Sequence, residues 1–279
     1  MQSTFTGIEI GKRSIIGHTQ GLNTIGHNLS NADVEGYSRQ RIEFSPFPPL
    51  YFPGLNREET AGQIGQGMMA ERIERVKNMM LEQRIVAQAN GQSYWETRSD
   101  YILMLEQAYL EPSQLSIRGA MDKFWESWQS LSANPALMSS RKAVVNSGQT
   151  LVDEINRAFE RLKSIRDMQE EDIRGSVKQV NELFRQIAAL NEQIVKVKAV
   201  GDNPNDLLDR RDLLVQELSG YADITISERD PDEFVVYVGG FMAVQGMEYR
   251  QFALQPDPDN EGYSRVIWAG TDEDVFFRG

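Results

Sequence analysis

Between Thr4 and Asn31 the large apolar residues recur at every seventh position: Ile8, Ile15, Leu22 and Leu29, with Ile25 and Ala32 at the offset position. Such a seam marks a helix that buries one narrow stripe against another helix. The same stretch holds five glycines, Gly7, Gly11, Gly17, Gly21 and Gly26. Each costs about 0.8–1 kcal/mol of helix stability relative to Ala, so the segment gives up roughly 4–5 kcal/mol. A helix penalised in this way is expected to be largely unfolded when alone in water. The two signals together predict a segment that folds when packed against partners, its small residues allowing close approach.

Gly36-Tyr37 and the proline-rich run from Ser45 to Gly54 end this helix and predict an extended connection. Met68–Val76 reads as a further extended segment leading into a helix near Asn78. From there the pattern is helical for most of the way to residue 220. Leu81, Ile85, Trp95, Ile102 and Tyr109 share one face before Pro112 breaks the run; Ile117, Met121, Phe124, Trp128 and Leu131 form the next. After Asn134-Pro135 comes a long element with Ile155, Phe159, Leu162, Ile173, Val177, Val180, Ile187, Leu190, Ile194 and Val197 on its seam. Its part from Thr150 to Ala199 alone would span about 75 Å at 1.5 Å per residue, which predicts a rod, with Gly175 a candidate bend. A short helix from Leu207 to Ser219 follows. Beyond Gly220 the pattern turns to strands: Ile224–Ile226, Glu233–Val238, a Gly239-Gly240 hairpin, Phe241–Val244, Tyr249–Leu254 and Tyr263–Trp268. The expected fold is mainly α with a partial β domain: a long-helix coiled-coil rod, an N-terminal assembly helix and an incomplete antiparallel β region. Its divisions are 1–40 for the axial helix and motif, 41–77 for an extended linker, 78–220 for the rod and 221–279 for the start of an outer β domain.

Composition narrows the chemistry. The 279 residues contain no cysteine and two histidines, which removes disulfides, Cys-based zinc sites and thiol catalysis and leaves little material for a histidine centre. The net charge of −12 argues against a nucleic-acid partner. From Tyr221 to Gly279 there are 12 acidic and 4 basic residues, so −8 of that charge sits in the β segment. Residues 14–32 lack formal charge but are rich in Asn, Gly, Thr and Gln, so membrane insertion is not expected, and the start of the chain does not read as a cleaved secretory signal. Gly7–Lys12 is one residue short of a phosphate-binding loop and follows no strand; Gly62–Gly67 is a dinucleotide fingerprint in reverse. Asp257–Gly262 begins like a calcium loop, yet its twelfth position is Trp268 where the bidentate Glu belongs, so a solvated hairpin turn is the better reading. Glu58-Glu59 and Glu170-Glu171-Asp172 read as solvated surface, and His18 and His27 as packing or hydrogen-bonding groups within an assembly. No nucleophile–base pair stands out. The sequence predicts a structural protein, not an enzyme, with no cofactor and no metal.

One stretch is specific enough for a family. Leu22 to Gln40, with Asn28, Ser30-Asn31, Gly36-Tyr37 and Arg39-Gln40, resembles the N-terminal motif of bacterial flagellar axial proteins. Within that family it is similar to the hook–filament junction members. Pro204–Leu218 and the Gly240 to Gly246 hairpin resemble later motifs of the same branch. The resemblance implies a structural junction subunit between hook and filament, with a distal rod or hook subunit as the alternative within the family; a secreted coiled-coil adhesin or translocator is the alternative outside it. It implies an assembly interface at Ile8, Ile15, Leu22, Ile25, Leu29, Asn28, Asn31, Gly36, Tyr37, Arg39 and Gln40. In this reading Asn28 and Asn31 bond frayed carbonyls at the helix end, and Gly36 takes the left-handed turn that redirects the chain. The implied partners are copies of the chain in a ring, hook protein, a second junction protein or the flagellin side, and an export chaperone for the C-terminal region. The implied location is the secreted flagellum, extracellular, or periplasmic where the flagellum is internal. Family members return to a C-terminal helix with its own seam, so the resemblance also implies a chain that continues past residue 279.

Overall fold

The computed structural model describes residues 5–48, 65–109, 116–230 and 233–277. Pro49–Gly54 of the proline-rich run, Glu58-Glu59, Gly62–Ile64 and Pro112 lie outside them. The described residues form five helices and eight short strands: α1 (Thr6–Ser30), β1 (Gln40–Pro46), β2 (Met68–Arg75), α2 (Met79–Tyr109), α3 (Ile117–Ala133), α4 (Met138–Ala199), α5 (Asn205–Ser219), then β3 (Ile224–Asp230), β4 (Glu233–Val238), β5 (Phe241–Gln245), β6 (Glu248–Tyr249), β7 (Phe252–Pro256) and β8 (Ser264–Trp268). The fold is mainly helical with small antiparallel sheets. No helix among the described residues is long and apolar enough to cross a membrane.

The chain divides into two compact units. The first comprises Met1–Ala87, Leu183–Ser219 and Ile224–Arg250. Here the end of α4 and all of α5 pack with the meander β3-β4-β5-β6. Leu183, Phe184, Ile187, Ile194, Val215, Leu218, Val236, Val238 and Val244 are buried, and they come from helix and strand alike. Gly239 and Gly240 both take positive φ, 58° and 89°, as the two-residue turn joining β4 to β5 requires. One charge is enclosed in this core. The Arg211 guanidinium lies 3.7 Å from the centre of the Phe234 ring, pairs with Glu228 at 3.2 Å and donates to Asn191 Oδ1 at 3.3 Å. Burial pushes its pKa down, against the pull of Glu228. Asn191 in turn donates to the Gly246 carbonyl at 2.8 Å, tying α4 to the β5–β6 turn.

The second unit comprises Gln88–Glu182, Gly220–Asp223 and Gln251–Gly279. Ser116 caps α3 by accepting from the Gly119 N–H. A side chain at Gly148 of α4 would begin 3.4 Å from Phe124 of α3, and the Ser127 and Ser147 hydroxyls bond at 2.7 Å. The hairpin β7–β8 docks on α4 through paired amide contacts: Asn181 accepts from the Phe252 N–H at 2.7 Å and donates to its carbonyl at 2.9 Å. Phe252 then packs edge-on against the buried Trp268, 4.8 Å between centroids.

Three local expectations change. Tyr249–Leu254 is not one strand: Tyr249 ends the meander and Phe252 begins the hairpin of the other unit, held there by Asn181 and Trp268. Glu171 and Asp172 are exposed as expected, but Glu170 is not a solvated carboxylate. Glu170 accepts from the Ser264 N–H at 3.0 Å and pairs with Arg174, while Asp172 accepts from the Tyr101 hydroxyl. The turn at 257–262 is an exposed hairpin turn, as expected, with Arg166 of α4 bonded to Asn260 and Glu261 and stacked 4.1 Å over Tyr263. Helix α4 runs unbroken through Gly148 and Gly175, because 62 residues of mostly good helix formers outweigh two glycines.

Candidate functional site

Helix α1 carries two stripes. Ile10, Arg13, Gly17, Gly21, Thr24 and Asn28 follow one another at three- and four-residue steps, and Ile8, Ile15, Leu22 and Leu29 at seven. At about 100° per residue the two stripes point to nearly opposite sides. In an ordinary amphipathic helix the apolar stripe faces the chain's own core. Here the small and polar stripe does. It lies on the antiparallel pair β1–β2, the two ends of the stretch read as a linker, which pair from Gln40↔Arg75 to Pro46↔Met68. A side chain at Gly17 would begin 3.3 Å from Met68, and one at Gly21 would begin 3.4 Å from Phe44. Gly7, Gly11 and Gly26 meet no such neighbour. Arg13 closes the far end: it sits 4.0 Å over the Phe47 ring and donates to Gln66 Oε1 at 2.8 Å. Gly67, at φ 90°, lets the backbone pass against Ile10.

The other end is closed by hydrogen bonds. Asn28 donates to the Gln40 carbonyl and accepts from the Gln40 N–H and the Tyr37 hydroxyl, each at 2.8 Å. One side chain thus clamps the turn between α1 and β1. Asn31 donates to the His27 carbonyl at 2.9 Å, as expected of a helix-end amide. Asn28 does not: it bonds the strand, because a residue three positions earlier still faces the sheet. Gly36 has φ 79°, and a side chain there would begin 3.2 Å from Leu213. Tyr37 packs edge-on against His27 at 5.5 Å. Arg39 is exposed, its carbonyl accepting from the Val76 N–H.

Helix α5 holds this turn with three carboxylates. Asp206 accepts from the Gln40 amide at 3.0 Å, and Asp209 from the buried Ser38 N–H at 2.9 Å and from Arg75 at 3.0 Å. Asp212 accepts from Arg75 at 2.6 Å and Lys77 at 2.8 Å. Burial alone would lower the Arg75 pKa, but Asp212 and Asp209 hold it above the ordinary value. The Tyr37 phenol is raised by burial first, then by Asp206 and Asp209. Asn205 completes the set, donating to the Ile73 carbonyl at 3.0 Å and to Gln40 Oε1 at 3.3 Å. Sequence reasoning quoted the motif around Asp206 but missed what it grips. The three- and three-residue spacing of Asp206, Asp209 and Asp212 was the available signal, since it places all three on one side of a helix.

Of the residues read as an assembly interface, Asn28, Tyr37 and Gln40 come together in the clamp, with Asn31 and Gly36 beside it. Ile8, Ile15, Leu22, Ile25 and Leu29 stay apart from it, 63–78% exposed on the outer stripe. A groove of about 540 Å³ runs between α1 and β1, lined by Leu22, Ile25, His18, Arg39 and Phe44.

The family model of the flagellar hook-associated protein FlgK helical domain matches residues 102–276. The chain belongs to this family. It is 34% identical over 229 residues to flagellar hook-associated protein 1 of Bacillus subtilis (strain 168), covering 81% of this chain and 45% of that protein. With flagellar hook-associated protein 1 of Salmonella typhimurium it shares 29% identity over 238 residues, 84% of this chain and 42% of the relative. The chain therefore spans under half the length of these relatives. The solved structure of the flagellar hook junction protein FlgK from Burkholderia pseudomallei has the same fold, at TM-score 0.59 and 24% identity over 71% of this chain and 36% of that one. The FlgK helical-domain match begins inside α2, so the α1–β1–β2 clamp lies before it.

Proposed function

We infer that the protein is a structural, non-enzymatic subunit of the bacterial flagellum, placed at the junction between hook and filament. The observation that carries this reading is the inverted α1, which spends its small and polar stripe on its own chain and turns its seven-residue apolar seam outward. A seam of that period is suited to other helices. Membership of the FlgK family supports the location, since the relatives are named hook-associated protein 1. The residues assigned to assembly are Ile8, Ile15, Leu22, Ile25 and Leu29 as the contact stripe. Asn28, Asn31, Gly36, Tyr37, Arg39 and Gln40 form the turn that aims it. The partners in this reading are further copies of the chain, hook protein on one side, and a second junction protein or flagellin on the other. Adding purified full-length protein to isolated hooks that lack filaments tests it. Binding at the hook tip, followed by support of filament growth, is the expected result; no binding at the tip overturns the junction role.

A further inference from the structure

The pairs β1–β2 and β7–β8 are sheets of two strands, so each of their strands has a side that its partner does not use. A side of that kind is a template on which a further strand can add. The bonds across each pair tell which residues turn their backbone that way, because facing and outward residues alternate along a strand. On β1 the Arg39 carbonyl accepts from the Val76 N–H and the Phe47 N–H donates to the Gly67 carbonyl. Gln40 and Pro46 therefore face away from β2. On β7 the Gln251 carbonyl accepts from the Ala269 N–H and the Asp257 N–H donates to the Tyr263 carbonyl. Phe252 and Pro256 therefore face away from β8.

The two edges are closed by the same pair of devices. At the first outward residue a helix supplies an asparagine that takes both backbone groups, as a residue of a neighbouring strand would. Asn28 of α1 does so on Gln40, at 2.8 Å for each bond, and Asn181 of α4 on Phe252, at 2.7 and 2.9 Å. At the last outward residue stands a proline, which has no N–H to offer. The partner strands are covered as well. Asn205 of α5 donates to the outward Ile73 carbonyl of β2 at 3.0 Å. The Trp268 N–H of β8 donates to the Glu273 carbonyl, and the Val266 carbonyl accepts from the Val275 N–H, each at 3.0 Å. We propose that Asn28 with Pro46, and Asn181 with Pro256, are edge guards that keep strands of a second copy from adding to β1 and β7. The inference goes beyond the junction role and does not depend on it.

Full-length protein carrying Asn28→Ala with Pro46→Ala, and a second form carrying Asn181→Ala with Pro256→Ala, is agitated with thioflavin T. Val215→Ala and Val180→Ala are the controls, since each removes a buried contact in one of the two units and touches no edge. All forms are compared at equal folded fraction, set with urea. Each edge variant is expected to raise the dye signal at least about tenfold faster than the unaltered protein and its control, because a freed edge pairs with its copy. Contact between helices does not light this dye, so the result is separate from hook binding. A rate equal to that of the unaltered protein overturns the guard on that strand. A control as fast as its edge variant overturns it too, because lost stability would then be the cause. Where an asparagine variant does not fold, Pro46→Ala or Pro256→Ala alone decides. Neither breaks a hydrogen bond, and a rate no faster than that of the unaltered protein overturns the proposal.

Discussion

Asn28 holds three hydrogen bonds across the turn from α1 to β1, so it is the side chain whose loss should be felt most locally. Asn28→Ala leaves the Gln40 N–H and carbonyl without their partner, and a destabilisation of about 1–3 kcal/mol is expected in urea melts. Gly36→Ala should act on the same turn by another route, since the side chain enters a left-handed backbone against Leu213. The titration of two phenols gives a different handle. Burial raises Tyr101, and its bond to Asp172 raises it further, to about 12; Tyr37 is raised as well. A phenol whose folded pKa lies above its unfolded value stays protonated in the fold when the unfolded chain has lost the proton. Its contribution is therefore complete below about pH 10 and is lost as pH climbs towards 12. The urea midpoint is expected to fall between pH 10 and 12, and to fall less in Tyr101→Phe; an identical slope in both proteins would count against this assignment.

At the scale of the element, the proposed role of α1 separates stability from association. Leu22→Glu or Ile15→Glu alters a side chain already in water and should shift the free protein's stability by under about 0.5 kcal/mol. The same change should abolish binding to hooks. Gly21→Leu is expected to do the reverse to the free protein, forcing Phe44 aside at about 1–3 kcal/mol. Comparing melting curves with hook binding for the three variants checks both halves. The seam was legible in the sequence because its period is a property of one helix. Its direction was not. Nothing in residues 6–30 says that Gly17 and Gly21 will meet Met68 and Phe44, because those partners lie beyond a stretch that reads only as extended. Strand pairing across such a gap leaves almost no local trace. For the same reason the helix boundaries of α3 and α5 fell close to expectation, set by Ser116 and by the Asn203-Pro204 turn, whereas the break between Tyr249 and Phe252 depended on Asn181, far away in α4.

Across the whole molecule the two units are interleaved in sequence, the chain passing between them five times. The FlgK helical-domain match runs through both, so a family boundary is not a folding boundary here. The second unit cannot be produced as one contiguous piece, and a chain ending at Glu182 would strand α1, β1 and β2 without the Asp206, Asp209 and Asp212 row that holds them. Replacing Asp209 and Asp212 together by Ala leaves Arg75 and the Ser38 N–H without acceptors in a mostly buried setting. Amide exchange should then quicken at least tenfold over 37–45 and 68–76, while the amides of α3 and of the β7–β8 hairpin keep their rates. A uniform quickening would show that the row supports more than the clamp.

The outward seam of α1 also sets a limit on how the free protein can be kept. A subunit that wears its stickiest stripe on the surface does not need to unfold anything before it self-associates, so no barrier of that kind protects a concentrated solution of it. On the proposed reading, solubility and polymerisation are governed by the same residues, and there is one concentration above which copies add to each other instead of to an end that is already built. Any change that strengthens the seam lowers that threshold. The tolerable strength of Ile8, Ile15, Leu22 and Leu29 is therefore capped by what the unassembled pool can bear.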